Sequence, residues 1–474
     1  MTPVLPHADP APIDLDSHRR RRVRVAAALA AEGSAIALVP TAPERVRNSD
    51  TDHPYRFDSH FHYLSGFAEP QAWLVITSEG RSILFCRAKD LEREIWDGYR
   101  LGPDAAPGAL GVDEAWPIAE LDERLPQLLA NRTAVWSAFA AHGALVAQHL
   151  PRWLDAVRAR ERQGVQSPQA HRDLGPLLDD MRLVKDDGEL ATMRRAGAIS
   201  AGAHARAMRY CAGRLRAGAP LVREYEIEAE LLHEFRRHGA QGPAYSSIVA
   251  AGANACVLHY AAADGALRAG ELCLIDAGCE LDGYASDITR TFPADGRFGS
   301  AQRELYEIVT AAQEAAIAAT RPGARQRDAH HAAVRVLTQG MLDTGLLDAN
   351  TVGSLDAAIE TAAYRRFYMH GTGHWLGRDV HDVGEYSALD EAPVEQPDGL
   401  GGTVVKKPSR TLQPGMVVTL EPGLYVRPGE GVPERYWHIG IRIEDDAVVT
   451  AEGCELISRG VPVQADEIEA LMRG

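Results

Sequence analysis

Four carboxylates constrain this chain more than any other feature. Asp276, Asp287, Glu421 and Glu444 each lie at the edge of an apolar stretch, where an unpaired charge is costly to bury. Asp276 closes Leu272-Cys273-Leu274-Ile275, and Asp287 opens Asp-Ile-Thr-Arg-Thr-Phe. Glu421 follows Met416-Val-Val-Thr-Leu420, and Glu444 ends Ile439-Gly-Ile-Arg-Ile. One buried carboxylate raises its pKa or finds a cation; four in one core repel strongly. Two divalent cations offset that charge and supply hydrolytic chemistry, and His374 adds an imidazole donor. The expected protein is a dinuclear metallohydrolase.

At 474 residues the chain has room for two or three domains. Its 66 acidic against 50 basic side chains argue against nucleic acid as a main partner. The six cysteines form no CxxC pair, which points to reduced thiols and a cytoplasmic setting. No apolar run approaches the ~20 residues of a membrane span. The Pro- and Asp-rich start before Arg19–Arg22 fits a first helix with a solvated basic end better than a signal peptide.

The expected fold is α+β: an N-terminal mixed α/β domain over 1–176, then a catalytic domain over 177–474. Strands are read at 34–39, 72–77 and 82–86, the last two as a hairpin around Ser-Glu-Gly-Arg. Turn residues over 163–176 suggest a linker. Beyond it, helices are expected over 187–216, 223–238 and 300–320. Strands are expected around 246–250, 271–276, 284–292, 416–421 and 439–449.

Alternation along a strand sets Arg442 and Glu444 on one face, and likewise Asp287, Thr289 and Thr291. Taken alone, Arg442 and Glu444 read as a solvated face; the apolar strands ending in Asp276 and Glu421 count against that. His370-Gly-Thr-Gly-His374 has the spacing of a helical zinc pair, but its glycines favour a loop. His381 lies in Asp379-Val-His-Asp-Val-Gly384, and His259 ends an apolar segment read as a strand. His233 and His238 are one residue too far apart for HExxH, and His330-His331 reads as surface. No dinucleotide fingerprint, GxxxxGK[ST] or GxSxG is present.

In this order the set resembles the pita-bread metallopeptidases, most closely the Xaa-Pro aminopeptidase (aminopeptidase P) family. The matching segments are Ser247-Ile-Val-Ala-Ala-Gly-Ala-Asn, Leu258-His-Tyr, Ile275-Asp-Ala-Gly, Ser286-Asp-Ile-Thr-Arg-Thr-Phe and Met369-His-Gly-Thr-Gly-His-Trp-Leu-Gly. Asp379-Val-His-Asp-Val-Gly, Leu420-Glu-Pro-Gly-Leu-Tyr and Gly440-Ile-Arg-Ile-Glu-Asp continue the series. Phe61-His-Tyr-Leu-Ser-Gly-Phe-Ala-Glu-Pro and Glu94-Ile-Trp-Asp-Gly-Tyr-Arg-Leu-Gly-Pro extend it into the N-terminal part.

The resemblance implies a pita-bread catalytic domain preceded by a domain that helps assembly and narrows site access. It implies that Asp276 and Asp287 hold one metal, that His374 and Glu421 complete the second, and that Asp287 and Glu444 bridge. Manganese is the expected metal, with Co²⁺ and Zn²⁺ as alternatives. Glu421 is expected to handle the proton of the attacking water, His259 and His381 to steady the oxyanion, and His370 and Arg442 to orient substrate and ligands. The implied substrates are peptides with proline second; prolidase, a metal-free creatinase-like enzyme and a non-catalytic peptide-binding module are the alternatives. A homodimer or homotetramer is expected. Trp96 is placed either in the core or in a neighbouring subunit's cleft.

Overall fold

The computed structural model describes residues 14–398 and 402–473. The Pro- and Asp-rich start up to residue 13 lies outside the described residues. Contacts group the chain into two compact units, one ending at Met181 and one beginning at Arg182.

The N-terminal unit is built on a six-stranded mixed sheet. Strand Ala35–Pro40 lies inside it, antiparallel to Trp73–Thr77 and parallel to Ala134–Ser137. Its alternation feeds two cores: Ala35, Ala37 and Val39 join one apolar cluster, Ile36 and Leu38 the other. Such two-sided burial explains why the strand reads as a continuous apolar run. The hairpin read from Ser-Glu-Gly-Arg forms between Trp73–Thr77 and Ser82–Cys86. The linker expectation fails at 170–173: Ala170–Asp173 pairs in parallel with Ala134–Ser137 as an edge strand. Its side chains are all exposed, so no apolar pattern marked it. Trp96 is also not a core residue. It lies on the short helix Leu91–Asp97, which buries no side chain, and is 82% exposed.

The C-terminal unit is the pita-bread domain. Its first long helix, Asp187–Arg216, starts at a capping box in which Asp186 and Glu189 satisfy each other's backbone N–H groups. Small residues let the helix pack closely: a Cβ on Gly197 would lie 2.6 Å from the carbonyl oxygen of Ile457. Helices Glu224–Arg237 and Ser300–Ala319 follow as read. One sheet orders Ile248–Ala251, Leu272–Asp276 and Thr289–Pro293; another orders Val417–Leu420, Asp445–Val449 and Cys454–Leu456. A bridge between Thr289 and Glu444 joins them, and Gly423–Val426 pairs with Ile439–Arg442. Two expected strands are each broken in two. Residues 286–288 and 443–444 leave the regular ladders, and these breaks carry Asp287 and Glu444. Among the described residues no helix is long and apolar enough to cross a membrane.

Candidate metal centre

Each candidate carboxylate arrives from the end or the break of an element. Asp276 ends Leu272–Asp276, Asp287 precedes Thr289–Pro293, and Glu421 follows Val417–Leu420. His374 sits in an irregular loop, as the glycines at 371 and 373 required, and not on a helix. That loop is pinned to the strand by Thr419 N–H on the carbonyl of His374 and Glu421 N–H on that of Thr372. Gly373 permits this approach, since a Cβ there would lie 1.9 Å from the Thr419 carbonyl oxygen.

The structure gathers Asp276, Asp287, His374, Glu421 and Glu444 around one cavity of about 750 Å³, with His259, His370, His381 and Arg442 in its wall. Donor atoms of Asp287, His374 and Glu444 all lie within 4.8 Å of one another. His374 Nε2 is 3.4 Å from Asp287 and 3.9 Å from Glu421. The solvated-face reading of Arg442 and Glu444 is overturned: they are 4% and 2% exposed. They look inward because neighbouring strands cover that face: Thr289 Oγ1 donates to Glu444, and Arg442 reaches Thr289 and Tyr425.

The electrostatics show an excess of negative charge. Burial, then Asp287 and Glu421, holds the Glu444 carboxyl well above its ordinary range. Burial likewise lifts Glu421 to about 7, although His374 and Arg442 pull the other way. Asp276 is raised by burial despite Arg442. Burial opposes protonation of His374, but hydrogen bonding to Asp287 and the charge of Glu421 carry it to about 9. Its Nδ1 donates to the Trp375 carbonyl at 2.9 Å, which leaves Nε2 facing the carboxylates. An imidazole so oriented, beside oxygen donors that repel one another, fits a pair of divalent cations.

Several residues that shape the site were not read from the sequence. The single Tyr245 hydroxyl lies between the two aspartates, 2.6 Å from Asp276 and 2.5 Å from Asp287, and its one proton is shared between them. The residue stands in a short Ala-Tyr-Ser-Ser segment with no apolar period to flag it. Asp446 accepts the backbone N–H of Asp287. Glu224 is fully buried and accepts from Ala251, Gly265 and Asn254, fixing the loop that bears His259. His259 itself lies in an exposed turn, not on a strand, because the helical turn Gly252–Cys256 interrupts the apolar run. Asp382, buried between Arg182 and Lys185, anchors the segment that holds the ring of His381 4.2 Å from that of His374. His370 is neutral: burial, then Arg442, drives it down to about 3, and it meets the Tyr425 hydroxyl at 2.8 Å. His330 is half-buried against Thr372, contrary to the surface reading, because its helix packs behind the 370–374 loop; His331 is exposed.

Residues 191–451 match the model of metallopeptidase family M24, and residues 18–136 match the aminopeptidase P N-terminal domain. The chain belongs to metallopeptidase family M24 and is a metallo-exopeptidase with a dinuclear metal site. It is 44% identical to the Xaa-Pro aminopeptidase of Escherichia coli (strain K12), over 93% of this chain and 94% of that protein. Among solved structures it is similar to Pseudomonas aeruginosa aminopeptidase PepP, with TM-score 0.89, 46% identity and 98% of each chain covered. It is also similar to zinc-substituted E. coli aminopeptidase P in complex with product, with TM-score 0.87, 42% identity and coverage of 98% of this chain and 99% of that one.

Proposed function

We propose that this protein is an Xaa-Pro aminopeptidase, releasing the N-terminal residue from peptides with proline in second position. The observation that carries the reading is the set of four carboxylates and one imidazole, Asp287 and Glu444 buried and the others half-buried, around a cavity of peptide-accepting size. In this reading Asp276 and Asp287 would hold one cation and His374 and Glu421 the other, with Asp287 and Glu444 available to both. Oxygen donors with one imidazole and no thiolate favour Mn²⁺ over structural zinc. The cations, when bound, lower the pKa of water and polarise the scissile carbonyl.

The chain's own groups do the rest. Glu421, in the cavity wall, takes the proton of the attacking water and returns it towards the leaving proline nitrogen. His259 and His381, on opposite loops of the cavity wall, donate to the developing oxyanion. His370 and Tyr425 hold the Arg442 end of the cavity, and Arg442 fixes Asp276. A bond before proline offers no N–H to grip, so recognition falls on the ring and the free amino terminus. Residues 1–176 are assigned to assembly and site access, and 177–474 to catalysis. Assembly into a homodimer or homotetramer is supported by exposed Leu91, Ile95, Trp96 and Tyr99. A cytoplasmic setting is supported by six free cysteines.

The test is chelation followed by Mn²⁺ readdition, with turnover read on an Xaa-Pro-Yaa tripeptide and an Xaa-Pro dipeptide. Restored tripeptide cleavage is expected. Cleavage of the dipeptide alone would make the enzyme a prolidase, and no rescue with no bound metal would make it a binding module.

A further inference from the structure

Behind the 370–373 loop lies a second cavity of about 650 Å³, and the two cavities share His370, Gly371 and Gly373 in their walls. Its lining is rich in cations: Arg327, Arg365 and Lys406, with His330 and His331 beside them. Among the described residues none of the three cations has a carboxylate at ion-pair distance; the Arg365 guanidinium reaches the Met369 carbonyl at 3.5 Å. Arg335, also in the lining, is by contrast paired with Asp356 at 2.9 Å. Two acids, Glu360 and Asp398, also line the cavity; they are exposed, as are Arg327 and Arg365, while Lys406 is half-buried. Burial, then repulsion from His331, Arg327 and Arg365, holds His330 down to about 4, and burial, then Arg327, lowers Lys406 against the pull of Asp398. Three cations therefore face a concave space that also holds Glu360 and Asp398, with none of the three in an ion pair with either among the described residues.

Gly371 supplies the second observation. It is exposed, a Cβ there would meet nothing within 4 Å, and its backbone is not left-handed. Neither packing nor torsion calls for glycine at that position. It stands in the wall shared by the two cavities and adds no side chain there. Ile359, Tyr364, Leu412 and Val418 line the second cavity beside the cations, so its surface suits a peptide segment ending in an acid more than a bare inorganic ion.

We propose that the second cavity is a subsite for the downstream part of longer substrates, with Arg327, Arg365 and Lys406 receiving its carboxylates. The proposal rests on the aminopeptidase reading and extends it: peptides with acidic residues or a free carboxylate well past the proline are preferred.

The experiment compares kcat/KM for an Xaa-Pro-Yaa tripeptide with longer Xaa-Pro peptides carrying acidic tails or basic, amidated tails. It uses the full chain and the Arg327→Gln/Arg365→Gln/Lys406→Gln variant, both loaded with Mn²⁺. The wild type should favour acidic tails by about tenfold, mainly through KM, with the preference shrinking at high salt. The variant should lose that preference while cleaving the tripeptide as before. If the triple variant does not fold, Arg365→Gln and Lys406→Gln singly should each remove part of the preference. Equal kcat/KM for acidic and basic tails in the wild type, with the tripeptide cleaved, overturns the proposal. Inorganic phosphate at constant ionic strength should raise KM for the acidic peptide alone; an effect on tripeptide turnover that the variant loses would mark an effector site and also overturn it. Failure to cleave the tripeptide at all would instead strike the aminopeptidase reading, and this inference would fall with it.

Discussion

Arg442 donates through Nη2 to Oδ2 of Asp276 at 2.6 Å, so a candidate ligand is held by a buried guanidinium. The same fork places Nε on Thr289 and Nη1 on Tyr425, each at 3.1 Å. A lysine cannot span the three partners. Arg442→Lys should therefore weaken metal binding by about 10–100-fold, as loss of a ligand-orienting partner does elsewhere. Titration of the chelated protein with Mn²⁺ measures this; unchanged affinity together with unchanged kcat would remove Arg442 from the role.

Asp287 and His374 face each other at 3.4 Å and share the same cation in the proposed arrangement. Asp287→Ala and His374→Ala should each lower metal content and turnover together. The double variant should be little worse than either single one, because residues that act as a unit are not additive. Metal analysis after dialysis, paired with tripeptide assays, checks this. Full activity with two metals in either single variant would refute the ligand set.

Metal-free protein should lose stability as pH rises above neutrality. Glu421 stands at about 7 when folded, against about 4.3 in an unfolded chain, so the folded state keeps a proton that the unfolded state gives up. Its contribution is complete below the unfolded value and is lost as pH climbs through 7. His374, at about 9 against about 6.5 unfolded, acts with the same sign over a higher window. Buried His204, His330 and His370, held down to about 4, 4 and 3, act with the opposite sign below about 6.5, so the thermal midpoint of chelated protein should fall from pH 7 to 9, and Mn²⁺ should flatten that slope while releasing protons on binding. A midpoint that rises with pH over that range in the chelated protein would contradict the assignment.

Gly373 admits no side chain without displacing the Thr419 carbonyl. Gly373→Ala should shift the loop carrying His370 and His374 and reduce kcat by about 100-fold, in line with the cost of an ångström-scale misplacement. Circular dichroism should stay native, since the loop lies outside the regular elements. Wild-type turnover would show that the loop tolerates the displacement.

The sequence made the candidate site legible where charge broke an apolar pattern. Asp276 and Glu421 stood out because each closes a strand whose other residues are buried. Glycines at 371 and 373 separated a loop from a helix. Tyr245, Glu224 and Asp446 carried no such mark: an isolated tyrosine, a helix-start glutamate and an acidic pair all look ordinary until tertiary contacts bury them. Two of the misreadings share one cause. Ala170–Asp173 is polar yet pairs at a sheet edge, and Trp96 is apolar yet exposed, so each departs from the usual link between hydropathy and burial.

Arg290 lies fully buried behind the carboxylates, donating to the backbone carbonyls of Thr289 and Glu444 and to the side chain of Asp445. This rear clamp ties together the two backbone stretches from which Asp287 and Glu444 project. The cradle is thus stiffened by the polypeptide before any ion arrives, and loading becomes a matter of filling rather than moulding. Exchange of one cation for another can then alter reactivity while leaving the scaffold undisturbed.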